Sequence, residues 1–252
     1  MNSNNSVDQG AALILTSVGK ARELGIAEDR WVYPHAGTEA WDHLYVSERD
    51  NLHSSPAIRF AAAKLFDLTG FGVDFIDLYS CFPAAVQVSA NEIGIPQDRP
   101  LTVTGGLTFA GGPLNNYVMH SVARTVDLLR AKPGAKGLVT ANGGLLTKHA
   151  LCVYSTEAPD KPFAWADLQD EVDATPRRKV AVDHDGEASV ESYVVMYGPD
   201  GAPNVAHTAC LLDDGRRTWA NVSDLDTVGA MMTEEFCGRS GAIDGAGNLR
   251  LA

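Results

Sequence analysis

Cys81, Tyr79 and Asn142 are the residues of this sequence whose types point most directly to chemistry. Each stands in a short segment that follows an apolar run. The segments read Asp77-Leu78-Tyr79-Ser80-Cys81-Phe82, Thr104-Gly105-Gly106-Leu107-Thr108-Phe109-Ala110-Gly111-Gly112-Pro113 and Thr140-Ala141-Asn142-Gly143-Gly144. A cysteine thiolate can attack an acyl carbon or move a proton. A tyrosine can serve as acid or base if its pKa is drawn down from about 10, and a side-chain amide can donate to an oxyanion. Gly105, Gly106, Gly111, Gly112, Gly143 and Gly144 would let the backbone come close to a bound molecule. Each residue also has a plainer reading: Cys81 as a small buried hydrophobe, Tyr79 as a core aromatic, Asn142 as a turn former, and Gly111-Gly112 as a tight turn before Pro113.

The elements that must hold these segments alternate between strand and helix. Ala11–Ser17 is apolar and β-compatible, Val18–Leu24 is a short amphipathic helix, and Trp31–Val46 is extended and aromatic. A long helix is expected from the cap Ser54-Ser55-Pro56 to just before Gly70. Strands are expected at Phe75–Leu78, Leu101–Thr104, Lys136–Thr140 and Ala150–Tyr154, and helices at Pro83–Gly94 and Asn115–Ala131. The pattern implies a layered α/β domain with a mixed sheet, spanning 1–158. A segment with two prolines, Glu157–Pro162, reads as a linker. Beyond it Lys179–Asp183, Ser189–Tyr197, Val205–Leu212, Arg216–Val222 and Asn248–Leu251, with a helix at Asp224–Phe236, predict a small, mostly β, OB-like five-stranded barrel or meander over 159–252.

The 252 residues carry a net charge of −12, of which −3 lies in residues 1–158 and −9 in 159–252. That field argues against nucleic acid or an anionic membrane as partner, and it has the wrong sign for the usual ligand of an OB-like barrel. No run of about 18 uncharged apolar residues exists, so no membrane span is expected. The N-terminus lacks the charge and apolar core of a secretory signal, which points to a cytoplasmic protein. The four cysteines never form a Cys-x-x-Cys pair, so neither a zinc site nor a disulfide framework is expected. The acidic group Asp167, Asp170, Glu171 and Asp173 lacks the glycine turn and terminal glutamate of a calcium loop and reads as a solvated face.

Taken with Asn2–Ala12, the three segments resemble the C-terminal half of the thiolase superfamily as far as about Tyr154. By that resemblance Tyr79-Ser80-Cys81-Phe82 stands at the His-Asp-Cys-Phe loop of the sterol-carrier type, with Tyr79 in the histidine position and Cys81 in that of the second catalytic cysteine. Gly105–Pro113 is similar to the Gly-Gly-x-Ile-Ala-x-Gly-His-Pro loop, with Gly112 at the histidine. Asn142-Gly143-Gly144 is similar to Cys-x-Gly-Gly-Gly, with an amide at the cysteine. A glycine can replace the histidine only through its backbone N–H. His35, His120 and His149 are alternative bases, although a lone histidine is more often structural.

The resemblance implies an acyl-CoA acyltransferase component of the acetyl-CoA acetyltransferase family. A coenzyme A thioester would be its substrate, and no cofactor would be held covalently. The family's nucleophilic cysteine lies in the other half of its fold, and Cys237-Gly238-Arg239-Ser240-Gly241 matches the nucleophile's Cys-x-Ser-Gly context only with an extra residue. The expected partners are therefore acyl-CoA and a thiolase N-terminal half or second subunit, in an oligomer, the chain being inactive alone. The apolar residues of Asn115–Ala131, spread over more than one helix face, agree with a missing partner. The alternatives are an aldol-type lyase acting on acyl-CoA through Tyr79, and a catalytically silent scaffold that binds CoA or lipid.

Overall fold

The computed structural model describes residues 3–70 and 72–251, and the chain divides into two compact units. The first comprises Met1–Asp42 and His53–Thr175, and the second His43–Leu52 and Pro176–Ala252. Asn2, the first residue of the segment Asn2–Ala12 singled out above, lies outside the described residues.

The first unit contains α1 (Val18–Glu23), β1 (Tyr33–Trp41), α2 (Pro56–Thr69), β2 (Phe75–Asp77), α3 (Pro83–Ile93), α4 (Gly106–Phe109), α5 (Tyr117–Ala131), β3 (Lys136–Gly143), β4 (Lys148–Ser155), β5 (Ala164–Asp167) and α6 (Gln169–Asp173). Its sheet is mixed, in the order β2-β3-β4-β1-β5. The β2–β3 and β1–β5 pairs are parallel, and the two central pairs are antiparallel.

Local chemistry explains the best-defined helix. The Ser55 hydroxyl accepts from the Ile58 N–H, Pro56 opens the first turn, and Gly70 closes the last at φ 75°. Ala57, Ile58, Ala61, Ala62 and Leu65 make its buried stripe. They join Ile76, Leu78, Leu138, Leu151 and Val153, which are buried with Val88 and Ile93 of α3, so α2 and α3 cover one face of the sheet. The opposite face meets α5 at Gly137, where an added Cβ would stand 2.4 Å from Thr125 Cγ2. The stripe α5 buries is Tyr117, Ser121, Thr125 and Leu129, spaced four apart and mostly polar.

Three expected features of this unit differ. Ala11–Ser17 forms no element, and Ile14 and Leu15 are exposed. Leu101–Thr104 joins no ladder, because the Val103 N–H is taken by the Asp77 carboxylate at 2.9 Å. The unit runs on to Thr175 rather than 158, because β5 pairs with the free edge of β1 and Leu168 and Val172 are buried with Ala40 and Ala57.

The second unit contains β6 (Gly186–Tyr197), β7 (Pro203–Leu211), β8 (Arg217–Val222), α7 (Leu225–Ala230), β9 (Ser240–Ile243) and β10 (Leu249–Leu251). All its ladders are antiparallel, in the order β10-β9-β6-β7-β8. The expected barrel is corrected to an open five-stranded sheet. Its edge strands β8 and β10 form no ladder with each other; the chain touches across that gap at the single parallel bridge Asn221↔Asn248, just before β10. Lys179–Asp183 is not a strand but touches β8 at one bridge, Val180↔Arg217. The short strand β9 stands where none was expected.

Arg217 organises this unit. Its side chain is fully buried and grips Glu191 with two bonds of 2.5 and 2.6 Å. Its remaining N–H groups donate to the carbonyls of Ser47 (2.8 Å), Arg49 (2.6 Å) and Asp50 (3.3 Å). A planar fork of five donors suits this arrangement. It is why residues 43–52, far away in sequence, belong to the second unit.

Candidate functional site

The site begins at Asp77, the last residue of β2. Its side chain is fully buried on the α5 face, one residue removed from the core residues Ile76 and Leu78. One carboxylate oxygen accepts from Thr102 Oγ1 (2.6 Å), the Val103 N–H (2.9 Å) and Thr104 Oγ1 (3.3 Å), and the other from Ser121 Oγ (2.5 Å) and Tyr117 Oη (3.1 Å). A carboxylate left alone at such burial would be costly, and a full shell of donors offsets that cost. The consequence is positional: the loop entering Gly105 and the start of α5 are both tied to the end of β2. Reading the sequence for chemistry missed this residue. Its signal was an acid inside the apolar run Phe75–Leu78.

From Asp77 the chain turns through Tyr79-Ser80-Cys81. The Tyr79 N–H donates to Thr140 Oγ1 on β3 at 2.9 Å, and the Tyr79 ring stands edge-on to Tyr117 at 5.3 Å. Ser80 Oγ accepts from the Leu107 N–H at 3.2 Å. A Cβ on Gly106, whose φ is +77°, would stand 2.6 Å from the same oxygen. Gly105, at φ +95°, supplies the other left-handed step. Asn142 Nδ2 donates to Cys81 Sγ at 3.4 Å. Two of the loops therefore meet the first one directly, at Ser80 and at Cys81.

The remaining glycines answer to the chain itself. The Gly112 N–H, the one donor that could substitute for an imidazole there, is committed to the Asn4 carbonyl at 2.8 Å. A Cβ on Gly111 would press to 2.8 Å from Val7 Cγ1, and Gln9 Nε2 donates to the Ala110 carbonyl at 2.6 Å. Residues 3–9 thus lie along the glycine loop, and Ser3 Oγ reaches the Cys81 carbonyl at 2.9 Å. Gly143 and Gly144 form the β3–β4 turn, with Gly144 at φ +67° and the Thr147 N–H donating to the Gly143 carbonyl. Of the alternative bases, His35 bonds the Glu157 carbonyl at 2.9 Å and His120 lies 3.5 Å from Asn116 Nδ2. His149 is buried on β4, with Nε2 3.4 Å from Asp42 Oδ2. No group of three or more metal-ligating side chains occurs among the described residues, the acidic group at β5 and α6 included.

Burial pushes the Cys81 thiol above its ordinary pKa, and the Asn142 amide only partly opposes this. Burial also raises the Tyr79 hydroxyl, reinforced by Cys81 and Tyr117. The surroundings of Tyr79 thus act in the opposite direction to the lowering that a resting base would need. Both groups hold their protons near neutrality, which suits proton donors and not a resting nucleophile. A cavity of about 290 Å³ opens beside them. It is lined by Tyr79, Asn142 and Gly143 with Glu39, Trp41, Leu114, Val118 and Lys148, and the Lys148 ammonium stands 4.6 Å over the Trp41 ring. Cys81 and the glycines 105–112 are not among its walls.

A solved structure described as a monomeric SCP2-thiolase like protein type 1 from Mycobacterium smegmatis superposes on this chain with a TM-score of 0.81 at 35% identity. The match covers 94% of this chain and 54% of that one. The chain belongs to the thiolase superfamily. Residues 167–248 match the family described as the thiolase-like protein type 1 additional C-terminal domain. A curated relative, acetyl-CoA acetyltransferase IA of Candida tropicalis, is 30% identical over 139 residues, which is 54% of this chain and 32% of the relative. This thiolase-superfamily chain thus spans about half the length of the solved structure and about a third of the yeast protein. No helix among the described residues is long and apolar enough to cross a membrane.

Proposed function

We propose that the chain is the acyl-CoA-binding component of a thiolase-type acyltransferase whose attacking cysteine comes from another polypeptide segment. The observation that carries this reading is the 3.4 Å contact from the Asn142 amide to Cys81 Sγ, at the point where the first and third loops meet. In the family chemistry one cysteine carries the acyl group and a second moves the proton that makes or quenches the thioester enolate. Cys81 suits the second role. A thiol whose pKa is raised by burial rests protonated, and once deprotonated it is a stronger base. Asn142 steadies the sulfur with a donor that a thiolate accepts more strongly than a thiol. With Gly112 at the family's histidine position and its N–H bonded to Asn4, that loop retains no group to activate a nucleophile. The chain alone should therefore bind the thioester without thiolysis.

The half-exposed Trp41 and Trp165 of the first unit agree with a complementary polypeptide completing the assembly. The acidic second unit, an open five-stranded antiparallel sheet, is read as docking protein rather than nucleic acid. Titration calorimetry with acetyl-CoA tests the central reading, together with a thiolysis assay of the same preparation. Saturable binding without turnover is expected. Absence of binding, or turnover by the chain alone, would refute it.

One observation favours a lyase as the second reading: Tyr79, a protonated phenol, lines the 290 Å³ cavity, whereas Cys81 does not. Cleavage of a β-hydroxyacyl-CoA that is lost in Tyr79→Phe and kept in Cys81→Ala would establish it.

A further inference from the structure

Of the three buried polar atoms in the first unit with no in-line hydrogen-bond partner among the described residues, one is Thr125 Oγ1 on α5 and the other two are Asn142 Oδ1 and His149 Nε2. The latter two belong to residues directly opposite each other across the β3–β4 ladder. Both residues line a small cavity of about 10 Å³ whose other polar walls are Tyr79, Ser89 and Thr140. Such a space admits about one water molecule, and polar walls of this kind are where buried water resides.

The two ends of this arrangement are fixed independently. His149 is 4% exposed. Its Nε2 lies 3.4 Å from Asp42 Oδ2, an ion-pair distance without the alignment of a hydrogen bond. Asp42 is itself held by Ser55 Oγ and by the Ala57 N–H at 3.0 Å. Burial alone would raise its pKa, but the contacts with His149, Ser55 and Ala57 outweigh that and keep the carboxyl below its ordinary value. At the other end, Asn142 spends its Nδ2 on Cys81 Sγ.

We propose that one bound water bridges Asn142 Oδ1 and His149 Nε2, making His149 a positioning residue for the Cys81 thiol. The imidazole Nε2 holds the water, with the Asp42 carboxylate beside the ring but out of line with that nitrogen, and the water holds the amide with its NH₂ toward sulfur. The water donates to Oδ1 whether it accepts from Nε2–H or donates to a bare Nε2, so the amide keeps one orientation in either state of the ring. The role assigned to His149 rests on the reading of Cys81 as a working residue, whereas the water bridge does not.

Alkylation of Cys81, followed across pH by mass spectrometry of its peptide, tests the proposal without any CoA ligand. Failure of the acyl-CoA reading is thereby distinguishable from failure here. The ionised and titratable neighbours are Asp42 beyond β1, Tyr79 after β2 with Tyr117 of α5 edge-on to it, and Glu39 of β1 and Lys148 of β4, which line the 290 Å³ cavity with Asn142 and His149. These stay in place in every variant. In His149→Phe the amide loses its anchor, and the Cys81 profile should move up by about half to one pH unit, three- to tenfold less thiolate at a given pH. His149→Gln, which can still bond a water, should restore most of the shift. A folded Phe variant with the unchanged profile would overturn the proposal. Should the Phe variant not fold, nuclear Overhauser contacts from a long-lived water to the Asn142 amide protons in the unaltered chain decide the matter. Their presence supports the bridge and their absence removes it.

Discussion

Each unit of the molecule is organised by one buried ion, and the two ions do different work. In the first unit Asp77 collects five donors, mostly hydroxyls, from the segment 102–104 and from α5. In the second unit Arg217 collects a carboxylate and a row of backbone carbonyls. The partners of Asp77 lead into the glycine loop and the tyrosine pair beside Cys81, so its burial places chemistry. The carbonyl partners of Arg217 belong to residues 46–50, so its burial sews a distant stretch of chain onto a small sheet. The comparison teaches that a buried charge is read by what its partners lead to, since burial and full pairing are common to both.

Three substitutions put this comparison at risk, in falling order of effect. Arg217→Met strands Glu191 and frees the carbonyls of Ser47, Arg49 and Asp50, and should cost about 3–5 kcal/mol in chemical denaturation. It should leave acetyl-CoA affinity unchanged, and a matching loss of affinity would break the distinction. Asp77→Asn keeps one acceptor oxygen for the segment 102–104 but turns an NH₂ toward Tyr117 and Ser121. A loss of about 1–3 kcal/mol is expected, and here acetyl-CoA binding should weaken severalfold because the loop entering Gly105 loses its anchor. Gly106→Ala is the smallest: its Cβ must displace the Ser80 hydroxyl at a backbone angle that disfavours alanine, costing about 1–2 kcal/mol. Its binding defect, measured calorimetrically, should exceed what that modest destabilisation suggests.

Elements specified by neighbouring residues were legible in the sequence, and those specified by distant ones were not. The cap Ser55-Pro56 and the stop at Gly70 are local rules, and α2 begins and ends where they place it. In contrast β5 and β9 are four residues each and exist because an edge of β1 or β6 is free to pair. The expected strand at Leu101–Thr104 carried a sound β pattern, yet its backbone went to a carboxylate 26 residues away. The same holds within the site. Cys81 and Asn142 were nominated by type and segment, and the structure brings their side chains into contact. The anchoring role of Asp77, the Asp42–His149 pair and the capture of the Gly112 N–H by Asn4 depend on partners 25 to 108 residues away. The glycines at 111 and 112 looked like room for a substrate, whereas a close approach of the chain to itself already accounts for them.

The claim on which the account turns is that a CoA thioester lies against Cys81. Two free thiols allow an internal control: Cys81 is half-buried beside Asn142, and Cys237 is exposed in the second unit. Alkylation of both, resolved by mass spectrometry while acetyl-CoA is raised to saturation, measures the claim directly. The account predicts that labelling of Cys81 slows at least severalfold while Cys237 reacts at its original rate. Equal rates at Cys81 with and without acetyl-CoA, or equal slowing at both thiols, would contradict it.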